Sequence, residues 1–182
     1  MFIMSIAAGI TIEEFERLPD ALAHNHELVN GELVDVSGNT LYHNKLRDFL
    51  IELLRPYVRN HQLGTIISEQ EFDFDGNAYG PDVAFIGADK LRLIDDERRV
   101  QRFVPDLAIE IVSRNDKFEY LMEKAVRYRK CGTKEVWVLA PKTRRTFVQS
   151  EDRDVILNDG QMFESKLIPG FAIRLGELFD SV

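Results

Sequence analysis

Two apolar runs, PDLAIEIVS over residues 105–113 and EVWVLA over 135–140, enclose a stretch whose apolar residues recur at helical spacing. Phe118, Leu121, Met122, Ala125 and Val126 fall three and four apart, which predicts a helix over about 116–130. Cys131-Gly132 is its expected stop. Strand, helix and strand in this order predict a right-handed crossover from Leu107 to Leu139 between neighbouring strands. The chain is therefore of α/β class.

The flanking segments fit this class. Thr11 caps a short helix and Glu14 completes a capping box, with Pro19 as the expected end. Asn30-Gly31 sits between two short apolar runs in HELVNGELVDVS, a strong hairpin signal. Leu46, Phe49, Leu50, Leu53, Leu54, Tyr57 and Val58 make one helical stripe over about 42–59, and Pro56 is expected to bend or break its last turn. TIISEQEFDF alternates as a strand, a turn follows at Asp75-Gly76-Asn77, and a second strand runs near Pro81 to Ile86. A charged loop is expected over about 88–102. RTFVQS, DVILND and FAIRLGELF supply further strands and a closing short helix. With no repeat and no Pro/Gly-rich linker, residues 1–182 read as a single domain with helices packed on one sheet, residues 1–10 flexible.

Composition narrows the function. The chain carries 23 basic and 31 acidic residues, net −8, which excludes tight, charge-driven, non-specific nucleic-acid binding. That charge is uneven. Residues 1–113 carry net −10, residues 114–145 carry +6, and residues 146–182 carry −4. The basic segment follows the Glu110 strand, so a positive rim beside the acids is expected. Cys131 is the single cysteine, which excludes an internal disulfide and a cysteine-rich zinc site. No basic residue precedes Arg17, against a signal peptide, and no apolar run is long enough to span a bilayer. The expectation is a cytoplasmic protein.

Two carboxylates stand out. Asp82 heads an apolar strand after Pro81, and Glu110 lies in the middle of DLAIEIVS. A carboxylate among apolar neighbours is costly unless paired, protonated or bound to a metal. One such acid is most simply a salt-bridge partner. Two on neighbouring strands suit Mg²⁺, which takes one or two carboxylates and keeps waters, and they suit metal-assisted attack of water on a phosphodiester. His24-Asn25-His26 is a contiguous tripeptide without metal-site geometry. Trp137 and Tyr128 read as packing, and Glu69 and Glu71 as mostly a solvated face, or with one of them pointing into the cleft.

Pro81-Asp82 followed by Glu110 resembles the PD-(D/E)XK nuclease superfamily. HELVNGELVDVS, His43, GPDVAFI, PDLAIEIVS, EKAVRYRKCGTKEVWVL and IPGFAIRLGELF together resemble more narrowly the Uma family of restriction-endonuclease-like proteins. The resemblance implies a restriction-endonuclease-like mixed central sheet flanked by helices. It also implies a divalent ion, Mg²⁺ or Mn²⁺, on Asp82, Glu110 and the carbonyl of Ile111, DNA as substrate, and a homodimer. The superfamily lysine two residues beyond the Glu is absent, since that position is Val112. The resemblance implies that Lys124 on the following helix replaces it; otherwise Lys124 is a solvated lysine. An acid at Glu32 is implied to reach the site, or else faces solvent on its hairpin. His43, at a helix start, contacts a phosphate or a site acid, or satisfies the helix terminus. The function expected is a Mg²⁺-dependent DNA endonuclease. The alternatives are a catalytically weak or inert nuclease-fold module for protein or nucleic-acid binding, and an enzyme hydrolysing a small phosphate ester.

Overall fold

The structure is a computed structural model, described here over residues 9–36, 38–113 and 117–181. Of the expected flexible start, residues 1–8 lie outside that range, and the Ile10 N–H is tied to the Gly31 carbonyl at 3.0 Å. Thr11 caps α1 (Ile12–Glu16) with a complete capping box. The chain then turns at Arg17, and Pro19 starts a second helix, α2 (Asp20–Ala23), instead of closing the first. β1 (His26–Val29) and β2 (Glu32–Asp35) form the hairpin, with Asn30 and Gly31 both at positive φ, as a tight two-residue turn requires.

Thr40 caps α3 (Leu41–Asn60), which runs through Pro56 unbroken. Proline removes the hydrogen bond to the Glu52 carbonyl, but both residues are exposed, so water can serve that carbonyl. The segment expected as one strand is two, β3 (Gly64–Ser68) and β4 (Glu71–Asp73). Glu69 between them has φ 54°, a left-handed conformation that turns the chain from one sheet into another. β5 (Ala78–Tyr79), β6 (Val83–Gly87), β7 (Val100–Gln101) and β8 (Leu107–Ile111) follow. The charged segment 88–102, which contains β7, is ordered by a 3₁₀ stretch over Ala88–Leu93 and by Arg99 and Arg102, which pair with Glu71 and with Glu13 and Glu16.

α4 (Phe118–Lys130) links β8 to β9 (Glu135–Ala140), and these two strands are parallel neighbours, as expected. Gly132 leaves the helix at φ 106°. β10 (Arg145–Ser150), β11 (Asp154–Asn158), β12 (Met162–Glu164), β13 (Ala172–Arg174) and α5 (Leu175–Asp180) complete the chain.

The strands do not form one sheet. A six-stranded sheet runs β11-β10-β9-β8-β6-β3, a five-stranded sheet runs β2-β1-β5-β4-β7, and β12 pairs with β13. Alternation along β8 explains the layering. Leu107, Ile109 and Ile111 pack towards Leu46, Leu50 and Leu54 of α3 in one core. Ala108, on the other face, shares a second core with Leu121, Ala125 and Tyr128 of α4, with Phe72 and Tyr79 of the five-stranded sheet, and with Phe74 just after β4. A third cluster seats α1 and α2 on β1 through Phe15, Ala23 and Leu28. Both sheets thus close around α4. Among the described residues no helix is long and apolar enough to cross a membrane.

Candidate active site

The site lies where β8, β6, β1 and α4 converge, at the end of the six-stranded sheet. β6 and β8 are antiparallel with Val83 opposite Ile109. One further step of that register sets Asp82 opposite Glu110, and opposite residues share a face. Asp82 is fixed from two sides. Its Oδ2 accepts the Ile111 N–H at 2.7 Å, and its Oδ1 lies 3.1 Å from Nε2 of His43. His43 belongs to the first turn of α3 and is buried, so the helix start reaches the strand end.

Glu110 is buried, and its Oε1 is doubly engaged. The Tyr128 hydroxyl donates to it at 2.6 Å, and Lys124 Nζ lies 3.1 Å away. Lys124 and Tyr128 are four residues apart on α4, so one helix face presents both to β8. The same ammonium donates to Oε1 of Glu27 at 2.9 Å. Glu27 is held in turn by the Gly80 N–H at 3.1 Å and the Tyr120 hydroxyl at 3.4 Å. Lys124 therefore joins a carboxylate of each sheet.

These contacts set the electrostatics. Burial raises the Glu110 carboxyl, Lys124 opposes the rise, and the Asp82 and Glu27 charges add to it, leaving it near 7. Burial opposes the charge on Lys124, but Glu110 and Glu27 outweigh it and hold the amine above its usual value, protonated throughout the physiological range. Burial and the neighbouring Glu110 push the Tyr128 phenol well up, so it stays a donor. For His43, burial is the largest single influence and lowers the pKa, but the hydrogen bond and charge of Asp82, with a hydrogen bond to Asn44, together raise the imidazole.

The expected site residues separate into two groups. Asp82, Glu110, Ile111, Lys124 and His43 all line one cleft of about 930 Å³. Glu32 does not. It is exposed on the edge strand β2, beside the hairpin turn and opposite Val29, and the reading that brought it to the site is corrected. The acid that does reach the site from this hairpin is Glu27, 3% exposed. β1 is covered at both Glu27 and Leu28, so the criterion that singled out Glu110, an acid inside an apolar strand, applied equally to HELV.

Tyr128 fills core volume as expected, stacked on Phe74 at 4.2 Å between ring centroids, but its hydroxyl is a site group. Trp137 is fully buried in the core. Glu71 is not solvated; it holds Arg99 through both oxygens at the cleft wall. His24, Asn25 and His26 line the cleft, with His26 Nδ1 on the His24 carbonyl.

The expected basic rim is also corrected. Of the described cations in the segment 114–145, Lys117 and Lys124 line the cleft. Lys134 pairs with Asp106, Arg144 pairs with Asp159 and Asp180, and Arg127 faces a separate depression with Asp73 and Asp75. Asp20, Asp35, Glu69 and Glu71 line the same cleft as the site.

Among the described residues no three His, Cys, Asp or Glu side chains converge as a metal cage. The donors at hand are the Asp82 and Glu110 carboxylates and the backbone at Ile111, all hard oxygens. That set fits Mg²⁺ or Mn²⁺, which accept one or two carboxylates and fill the remaining positions with water. The Glu110 carboxyl, raised by burial and by neighbouring negative charge, is a group that a cation would return to its ionised form.

The sequence model of the Uma2 family, described as "Putative restriction endonuclease", matches residues 12–176. The fold is similar to the crystal structure of "a putative nuclease belonging to DUF820" from Anabaena variabilis ATCC 29413. The two chains are 17% identical, with a TM-score of 0.83 over 94% of this chain and 98% of the other. At that identity the likeness concerns the fold. No curated protein matches this chain.

Proposed function

Because the chain belongs to the Uma2 family of restriction endonuclease-like proteins, we propose that its cleft hydrolyses phosphodiester bonds of DNA with Mg²⁺ or Mn²⁺. Asp82, Glu110 and the carbonyl of Ile111 would hold the ion. When bound, the ion supplies Lewis-acid stabilisation of charge on the phosphate and lowers the pKa of water. The observation that carries the reading is the position of Lys124, 3.1 Å from Glu110 although it lies on the next helix. It supplies the amine that Val112 lacks.

Hydrolysis forms a bond from water oxygen to phosphorus, breaks a phosphorus–ester oxygen bond, and returns the water's proton to the leaving alkoxide. Lys124, kept protonated by two flanking carboxylates, is suited to orient the water and to stabilise negative charge, not to remove a proton. Tyr128 and His43 act as positioning residues, fixing Glu110 and Asp82 respectively. The acidic groups lining the cleft suit a substrate that binds through the ion more than through bulk attraction. We further propose a homodimer, which would allow both strands to be cut, in the reducing cytoplasm that a lone cysteine suits.

The test is nicking of supercoiled plasmid in Mg²⁺ or Mn²⁺. Asp82→Asn, Glu110→Gln and Lys124→Met should each lower the rate by about 10²-fold or more, the usual effect of removing a group that stabilises transition-state charge. Cleavage that survives all three, or none in the wild type with either ion, would refute the assignment. The second of those outcomes would favour an inert binding module.

A further inference from the structure

The cleft brings three carboxylates to one place, and only two of them belong to the strand pair assigned to the ion. The third, Glu27, comes from the other sheet and is as buried as Glu110, 3% against 4% exposed. Its charge is not spent on a distant partner. It shares the Lys124 ammonium with Glu110, at 2.9 Å and 3.1 Å. The Lys124 side chain is itself only 5% exposed.

With all three carboxylates ionised and His43 neutral, three carboxylates and one ammonium leave two negative charges, which a single divalent ion cancels. Two carboxylates facing one gap also form the kind of hard-oxygen pair that can take a divalent ion. Here the gap between Glu27 and Glu110 is filled by Nζ of Lys124. Tyr120 and the Gly80 N–H hold Glu27 in place from behind, so the arrangement does not depend on Lys124 alone.

We infer that Glu27 and Glu110 hold the Lys124 ammonium as a built-in cation in the place of a second metal, so that the cleft loads one divalent ion per chain. This rests on the reading of Asp82 and Glu110 as metal ligands. Glu27 is then a positioning residue that decides metal stoichiometry.

The experiment is a titration of the metal-free full-length protein with Mn²⁺, followed by calorimetry and by electron paramagnetic resonance. The wild type should bind one ion per chain with an uncoupled Mn²⁺ spectrum, and Lys124→Arg should do the same. Lys124→Met should bind two, the second lost when Glu27→Gln is added. A wild type that binds two ions, or shows the exchange-coupled signal of a pair about 4 Å apart, overturns the inference. So does a folded Lys124→Met that still binds one. The wild-type spectrum decides the matter even if Lys124→Met fails to fold. Failure of the parent reading looks different: the wild type would bind no Mn²⁺, or would bind it equally well as Asp82→Asn.

Discussion

Replacing Lys124 by methionine keeps the chain length and helix propensity but removes one charge from the most buried ionic cluster of the protein. Lys124, Glu27 and Glu110 have side chains only 4–5% exposed. Breaking a buried pair leaves an uncompensated charge and costs about 3–5 kcal/mol. Here two carboxylates lose their shared cation but keep the Tyr128, Tyr120 and Gly80 donors, so the whole of that range applies near neutral pH. With a urea dependence of roughly 2 kcal/mol per molar, the unfolding midpoint should fall by roughly 1.5–2.5 M at pH 7.5 without divalent ions. The deficit should shrink towards pH 5. Glu110 already has a raised pKa near 7, and losing the lysine that opposes the rise moves it higher. A carboxyl raised in the folded state contributes stability below its unfolded value, and that stability is lost as pH rises through the folded one. Adding Glu27→Gln should recover part of the loss, with a coupling of about 0.5–3 kcal/mol. A deficit below about 1 kcal/mol, or one independent of pH, would show that the cluster is not the tightly paired unit described.

Tyr128→Phe keeps the ring on Phe74 and removes only the 2.6 Å bond to Glu110; urea unfolding should show a loss of about 1.5–3 kcal/mol, the range for hydrogen bonds to charged groups. Burial opposes ionisation of Asp106, but Lys134, the Gly87 N–H and Lys90 outweigh it and depress its pKa. Its stabilisation is therefore present above the unfolded value and lost as pH falls through the folded one, so Asp106→Asn should be less stable at pH 7 and show a flatter acid limb in pH-dependent unfolding. At Gly64, φ is 147° and a Cβ would meet the Ile86 carbonyl oxygen at 2.0 Å. Gly64→Ala should cost about 2 kcal/mol or more and lower the melting temperature by roughly 5 °C in calorimetry. Glu32→Gln, on the exposed hairpin edge, should stay within about 0.5 kcal/mol of the wild type.

Local signals carried much of the architecture into the sequence. The capping box at Thr11, the Asn30-Gly31 turn and the amphipathic stripes of α3 and α4 each state their own geometry, and the parallel β8–β9 pair follows from the helix between them. What stayed hidden depends on partners far along the chain. Nothing local in the sequence marks the left-handed turn at Glu69 that divides one alternating run between two sheets. Asp82 and Glu110 were visible because apolar strands surround them. Glu27 satisfies the same rule, but a four-residue hairpin strand gives too little periodicity to show that both of its faces are covered. Likewise the positive charge of 114–145 reads as one patch along the chain, whereas a helix and the strands after it distribute those cations around the molecule and onto local acids.

The bond from Lys124 to Glu27 spans 97 positions of sequence. A contact of such separation is rewarded only after the chain between has closed, and non-local strand pairings tend to form slowly. β6, β8 and α4 lie within a much shorter stretch and can assemble their two acids and their lysine before the amino-terminal hairpin docks. The half-built cleft would then hold Lys124 on Glu110 alone. The expected last step is the arrival of β1, and pulse-labelling hydrogen exchange should then find amide protection at Glu27 and Leu28 lagging behind that at Ile109 and Ile111. The candidate site would then be complete only when the two sheets have joined, and recovery of the proposed metal binding during refolding would report on that union.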